Sequence, residues 1–162
     1  MEFIQNIDFQ IFKFIHFSTK NEFLDIILPY ARNKSTWIPF YIFLVYYLRR
    51  QFPKTYWKII LIVLISVVAS DFLCAKILKQ VFDRVRPCHQ FALEAWFSNF
   101  NLCSQTYSFP SCHATNHSCI AFLLFPFVSK SIRWFLCFWV FLIGFSQIYI
   151  GVHFPSDILG GI

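Results

Sequence analysis

Four apolar runs decide what this chain can become. Residues 36–48 (TWIPFYIFLVYYL), 59–75, 114–128 and 132–150 contain only Asp71 and Arg133 as charged residues. Backbone that enters lipid must satisfy its own donors and acceptors, so runs of this kind enter it as helices. The segments joining them are basic: RRQFPKTYWK at 49–58 has four Lys or Arg and no acid, and SKSIR at 129–133 has two. Basic turns stay on the cytoplasmic side of a bilayer. The polar stretch 79–112 and the turn 151–157 then fall together on the opposite side.

Composition supports this reading. Hydrophobic residues make up 57% of the 162 and charged residues 14%, against about 25% charged in soluble domains. Disordered and collagen-like chains are excluded, and the net charge of +6 sits in the turns, where it sets topology and is no nucleic-acid footprint. The expected fold class is all-α: a polytopic membrane helix bundle of about six helices forming one domain over 1–162, with 79–112 as an extracytoplasmic cap loop. A span needs roughly 20 apolar residues, so Trp37, Trp57, Trp134, Tyr46 and Tyr47 have to extend the shorter runs at the interfaces. Residues 3–17, interrupted by Asp8 and Lys13, suit an interfacial helix. They lack the basic start of a signal peptide. A last inward helix is expected to begin near Ser156, cut short by the end at Ile162.

Six Cys are present and no two form a CxxC, which disfavours a thiol oxidoreductase or a zinc ribbon. Cys74, Cys119 and Cys137 lie in apolar runs, where a thiol behaves as a small hydrophobe. Cys88 and Cys103 share the outward loop, where oxidation is permitted, and are expected to pair. Cys112 is expected to stay reduced.

Three polar clusters lie at the outer ends of the expected helices. Lys79 and Arg86 are seven apart, two turns on one helix face, and could clamp a phosphate. Alone, they read better as a basic helix end, or as Lys79 paired with Asp83. Pro110, Ser111, Cys112 and His113 open a helix whose unpaired amides suit an anion, although Ser111 as a simple cap explains the same residues. In the third cluster His153 and Asp157 are four apart across HFPSD. The carboxylate can hold one imidazole nitrogen and leave the other as base or nucleophile; a pair that only stabilises a helix end is the alternative.

Taken together, KQVFDRVRP at 79–87, PSCH at 110–113 and SQIYIGVHFPSD at 146–157 resemble the three-part signature of the type 2 phosphatidic acid phosphatase family. The signature spans about half the chain, in the family's order and helix context. The resemblance implies a six-helix membrane core and hydrolysis of a lipid phosphate or diphosphate at the outer interface. It assigns phosphate binding to Lys79 and Arg86, with Ser111 and the amides around Cys112 holding oxygens. His153 becomes the nucleophile that forms a phosphohistidine, Asp157 its orienter, and His113 the acid for the leaving oxygen. No cofactor, metal or nucleic acid enters. Two positions depart from the pattern: Cys112 stands where Gly is usual, and Gln147 where Arg follows the Ser.

Two other readings compete. A non-catalytic lipid-phosphate binder would fit Gln147, but it has no need of a nucleophile, an orienter and an acid. A metal site at His113 and His117, with Cys112 and Cys119 nearby, has zinc-like spacing but carries Ala114 where a zincin has Glu. The substrate class covers a polyprenyl diphosphate, phosphatidylglycerol phosphate, phosphatidate or a lipid A phosphate. The place expected for the protein is a bacterial inner membrane, with its site facing the periplasm or exterior.

Overall fold

The computed structural model describes residues 2–91 and 103–162, so the middle of the expected cap, 92–102, lies outside the described residues. Among the described residues all regular structure is helical. In chain order the helices are α1 (Glu2–Lys13), α2 (Glu22–Arg32), α3 (Ile38–Gln51), α4 (Tyr56–Phe72), α5 (Lys79–Phe82), α6 (Pro87–Gln90), α7 (Cys112–Leu124), α8 (Lys130–Ile150) and α9 (Pro155–Leu159). A π turn at Leu73–Leu78 joins α4 to α5.

Among the described residues two helices have the length and hydropathy to cross a bilayer: Tyr56–Phe82, 27 residues, and Lys130–Ile150, 21 residues. At 1.5 Å per residue the second is about 31 Å long, the depth of a hydrocarbon core. The expectation of about six crossing helices is met only in part. α1, α2, α3 and α7 run 12, 11, 14 and 13 residues. Proline sets some of these limits: Pro39 stands in the first turn of α3, and Pro126 draws the end of α7 into a 3₁₀ turn.

The outward faces are apolar. Val68, Ile65 and Phe141 are each 60% or more exposed, an arrangement that costs nothing only when lipid covers it. The inner faces meet around Trp139, which is fully buried with Leu136 and Ile143 of α8 and packed with Leu44 of α3, Ile59 of α4 and Leu124 of α7. A second layer carries the polar end of the bundle. There Phe12 of α1 packs on Phe154 and Ile158 of α9, while Leu28 of α2 packs on Tyr149, Ile150 and Val152.

Local signals place the site-bearing turns. α8 stops at Gly151, whose φ of 90° is the left-handed conformation glycine adopts freely, and the chain reverses into His153. α9 then presses on α7 so closely that a Cβ on Gly161 would stand 2.7 Å from the Ser111 carbonyl oxygen. The helix start at Ser111 and the His153 turn are thereby held side by side.

Two expectations are corrected. Lys79 and Arg86 do not share a helix face: α5 ends at Phe82 because Asp83 takes a left-handed backbone with φ 50°, and Arg86 returns from beyond the helix end. Cys112 is not a free thiol, nor is Cys74. They form a disulfide, 38 residues apart in sequence, alongside the expected Cys88–Cys103 bridge. α4 with its continuation packs along α7, a tertiary fact that spacing could not reveal. Loops of 38 and 15 residues correspond to about 4 and about 3 kcal/mol of chain-entropy stabilisation. Cys119 and Cys137 remain as thiols. Titration of denatured, unreduced protein should therefore find two reactive thiols, and six after reduction; four before reduction would remove one bridge.

Candidate active site

Asp157 is the centre of the polar end. Its side chain is fully buried and accepts from four neighbours. Oδ2 takes the Phe154 amide at 2.8 Å, the Ser108 hydroxyl, and the Nδ1 side of His153 at 3.3 Å. Oδ1 takes Nη1 of Arg84 at 2.7 Å. A buried carboxylate persists only when compensated in this way.

With Nδ1–H held by Asp157, Nε2 of His153 carries the lone pair. Nη1 of Arg86 lies 3.2 Å from it. Burial pulls the His153 imidazole down to about 3; the Asp157 hydrogen bond pulls upward and the Arg86 charge adds to the lowering. The ring is therefore neutral at ordinary pH.

Arg86 is 5% exposed. Its Nε donates to the Thr106 carbonyl at 2.7 Å, Nη2 to the Thr106 hydroxyl at 3.0 Å, and Nη1 to the Val152 carbonyl at 2.9 Å. Burial, then the nearby Arg32 cation of α2, lower this guanidinium to about 10 against the pull of Asp157. Lys79, equally buried, donates to the carbonyls of Tyr107 and Ser108. The segment 104–110 is thus pinned by both cations. Lys79 does not pair with Asp83.

The start of α7 completes the arrangement. Ser111 caps it, its hydroxyl accepting from the Ala114 amide at 3.5 Å, and its own amide donates to the Asp157 carbonyl at 3.0 Å. The amides of Cys112 and His113 are then the open donors of the helix start. The His113 ring stacks on His117, centroids 6.4 Å apart. Gln147 is fully buried, and neither atom of its side-chain amide has a protein partner.

Lys79, Arg86, Ser111, Cys112, His113, Gln147, His153 and Asp157 lie together at this end of the bundle. The metal reading loses one of its donors, since the Cys112 sulfur is bonded to Cys74, and the His117 nitrogens lie near protein groups, Nδ1 at 2.6 Å from the His113 carbonyl and Nε2 at 3.4 Å from the Tyr41 hydroxyl. Sequence reasoning placed Arg84 in the cluster with Lys79 and Arg86 but gave it no role, and it missed Ser108, Thr106, Asp8 and Arg32. Asp8 had a signal, an acid inside an apolar helix; the others had none.

Below the polar end, α3, α4 and α7 enclose an apolar groove of about 530 Å³. Tyr41, Leu44, Val63, Val67 and Ile120 are among its walls, with Lys34 and Ser35 at its rim. Tyr41 links this groove to His117 and so to the His113 end of α7.

The family model for the PAP2 superfamily matches residues 60–162. A lipid A 4'-phosphatase of Bacteroides thetaiotaomicron is 27% identical, the alignment covering 99% of this chain and 73% of that protein. One of Porphyromonas gingivalis is 31% identical over all of this chain and 70% of the relative. A phosphatidylglycerophosphatase B of Bacillus subtilis is 38% identical over 62% of this chain and 50% of its own length. Among solved structures, the transmembrane PAP2-type phosphatidylglycerolphosphate phosphatase of Bacillus subtilis shares the fold, with a TM-score of 0.69 at 24% identity over 99% of this chain and 80% of that one. Aquifex aeolicus LpxE matches with a TM-score of 0.68 at 25% identity over 96% of this chain and 87% of its own.

Proposed function

This chain belongs to the PAP2 superfamily, and from that membership we propose that it hydrolyses a lipid phosphate through a phosphohistidine on His153. The observation that carries the reading is the placement of His153: Nδ1 held by Asp157, Nε2 facing Arg86, the ring neutral. Nε2 attacks phosphorus as the ester P–O bond breaks; burial lowers the His113 imidazole to about 4, so the proton it passes to the leaving lipid oxygen is one it takes from the phosphate monoanion of the bound substrate. Water, deprotonated by His113, then attacks the phosphohistidine, releasing inorganic phosphate and the free imidazole. Lys79, Arg86, Ser111 and the amides of Cys112 and His113 hold the equatorial oxygens where charge concentrates.

The groove beside α7 supports a lipid as the carrier of that phosphate, its apolar walls suiting an acyl chain while the headgroup meets the cations. The names of the relatives put a lipid A 4'-phosphate and phosphatidylglycerol phosphate first in the panel, before phosphatidate and a polyprenyl diphosphate. Phosphate release from these four in detergent, with chelator present, tests the reading; no release from any of them by folded protein ends it.

Orientation belongs to the same proposal. Both disulfides tie residues at the site end of the bundle, and disulfides persist on the oxidising side of a bacterial inner membrane. Together with the basic turns at 49–58 and 129–133, this argues for a periplasm-facing site. Labelling of Gln51→Cys by an impermeant maleimide in intact cells would reverse it.

Gln147 gives a sharper expectation. An Arg in its place would put a further cation into a pocket that buries the present amide completely. The added charge would have no counter-charge assigned to it and would be costly to desolvate. We expect Gln147→Arg to lower turnover about tenfold, the cost of some 1.4 kcal/mol in the transition state. Steady-state kinetics, with thermal stability measured alongside, decide this, and a clear rate increase would show the pocket had merely lost a charge.

A further inference from the structure

The phosphatase reading uses one face of Asp157, the oxygen that holds His153. Its other oxygen belongs to a separate ion-paired chain that runs out of the site. Nη1 of Arg84 donates to Oδ1 of Asp157 at 2.7 Å and to the Ser156 hydroxyl at 2.6 Å. Nη2 of the same guanidinium reaches Oδ2 of Asp8 at 2.5 Å. Asp8 in turn accepts from the Ser156 amide at 2.8 Å through Oδ1 and from the Ser156 hydroxyl at 2.6 Å through Oδ2. The guanidinium carbon lies 4.2 Å from the centre of the Phe154 ring. The Arg84 carbonyl accepts from the Ser108 amide at 2.7 Å, and Ser108 is the hydroxyl that also binds Asp157. One residue thus fixes both ends of the HFPSD turn and the segment that brings Ser108 to the carboxylate.

We propose that Arg84 and Asp8 form a positioning pair for catalysis: Arg84 occupies the back oxygen of Asp157 so that only Oδ2 is left to orient His153, and Asp8 of α1 holds the Arg84 fork in place. The inference rests on His153 being the nucleophile. Its physical basis is geometric. A guanidinium binds in the plane of its fork, and each nitrogen has a fixed direction. With Nη2 anchored by Asp8, Nη1 can only point where Oδ1 lies. Asp8 is 5% exposed, and a buried acid on an otherwise apolar helix is costly unless a cation meets it. The N-terminal helix is therefore part of the site's support, although none of its residues reaches the nucleophile.

The pair makes predictions that a merely structural contact would not. The charged groups facing Asp157 come from every neighbouring segment: Arg84 after α5, Lys79 on α5, Arg86 before α6 and His153 in its own turn, with Asp8 behind Arg84. Removing Arg84 deletes the cation in direct contact with Oδ1 and makes protonation of the carboxylate easier. A protonated Asp157 no longer holds the Nδ1 tautomer, so the acid limb of kcat against pH moves to higher pH. Removing the charge of Asp8 leaves the Arg84 cation in the site but unanchored. Rate falls, and the acid limb stays or moves to lower pH.

The experiment uses the full chain in detergent, with phosphatidate micelles as the probe, or whichever lipid of the panel is turned over. Arg84→Gln, Arg84→Lys, Asp8→Asn and the double variant Asp8→Asn with Arg84→Gln are compared with wild type and His153→Ala. For Arg84→Gln we expect kcat to fall about 10² to 10⁴-fold, the range reached when the orienter of a catalytic imidazole fails, with KM within about threefold and the acid limb displaced upward. Arg84→Lys should recover part of the rate, since one ammonium can serve Asp157 but not Asp157 and Asp8 together. Asp8→Asn should lose about tenfold alone and add little to Arg84→Gln, because it acts through that residue. Wild-type kcat in Arg84→Gln, or a raised KM with kcat unchanged, overturns the inference while leaving the phosphatase reading intact. Full activity in His153→Ala would remove both. If Arg84→Gln does not fold, Asp8→Asn decides: an unchanged kcat, or an acid limb moved upward, counts against the pair.

Discussion

His153→Ala should abolish turnover. The loss is expected to be about 10⁴ to 10⁶-fold, because residues acting as one nucleophilic unit fail together when the attacking atom goes. Asp157→Asn should cost less, about 10² to 10⁴-fold. The nucleophile remains, but an amide no longer selects the Nδ1–H tautomer with the strength of a carboxylate that His153 meets at 3.3 Å. The comparison is made by phosphate release at saturating lipid. An alkaline quench of wild type with labelled substrate should also retain label on protein, since phosphohistidine survives base. The pH profile has a sign fixed by burial. With the His153 imidazole lowered to about 3 and that of His113 to about 4, acidification from pH 8 to 5 protonates neither, so any loss of kcat/KM in that range follows ionisation of the substrate. A limb at the usual imidazole value of about 6.5 that survives a change to a substrate with a different phosphate pKa would contradict the dry, neutral His153.

The sequence held more of the site than of the bundle. The HFPSD turn was legible because its chemistry is local: His153 and Asp157 are four positions apart, and Gly151 and Pro155 mark the reversal and the new helix. The helix start at Ser111 was legible for the same reason, as a cap followed by open amides. Lys79 and Arg86 were found by spacing, but spacing gave the wrong route. Asp83 breaks the helix with a left-handed residue, and nothing in VFDRVRP announces that. The Cys74–Cys112 bridge was invisible because its partners meet only through the packing of α4 and its continuation against α7. Arg84 looked like one more basic residue at a membrane edge. Its role depends on Asp8, 76 residues upstream, and a contact at that separation leaves no periodic trace.

The second large effect is expected at Arg86, where positioning and charge cannot be separated by eye but can be by substitution. The guanidinium does two things at once. Through Nε and Nη2 it binds Thr106 and draws the 104–108 segment across the site, and through Nη1 it reaches both the Val152 carbonyl and the face of Nε2 on His153. On the proposed reading an incoming phosphate enters between Nη1 and Nε2, accepting hydrogen bonds from the fork while its phosphorus takes up the line of attack. A positioned Arg of this kind is worth roughly 10³ to 10⁵ in rate where it meets a transferring phosphoryl group. Arg86→Ala should therefore lose about that much of kcat/KM, and it also leaves the Thr106 carbonyl unpaired, which costs stability. Arg86→Lys separates the two roles. It keeps a cation at the same depth but has a point charge in place of a fork, so it cannot hold Thr106 and two phosphate oxygens together. We expect Arg86→Lys to recover substrate binding, with KM within about threefold of wild type, and to stay about 10²-fold low in kcat, the loss appearing where in-line geometry matters. Steady-state kinetics on the lipid that wild type turns over, alongside melting curves in the same detergent, make the measurement. A fully active Arg86→Lys would mean that charge alone suffices and that the fork seen between Thr106 and His153 has no part in the reaction.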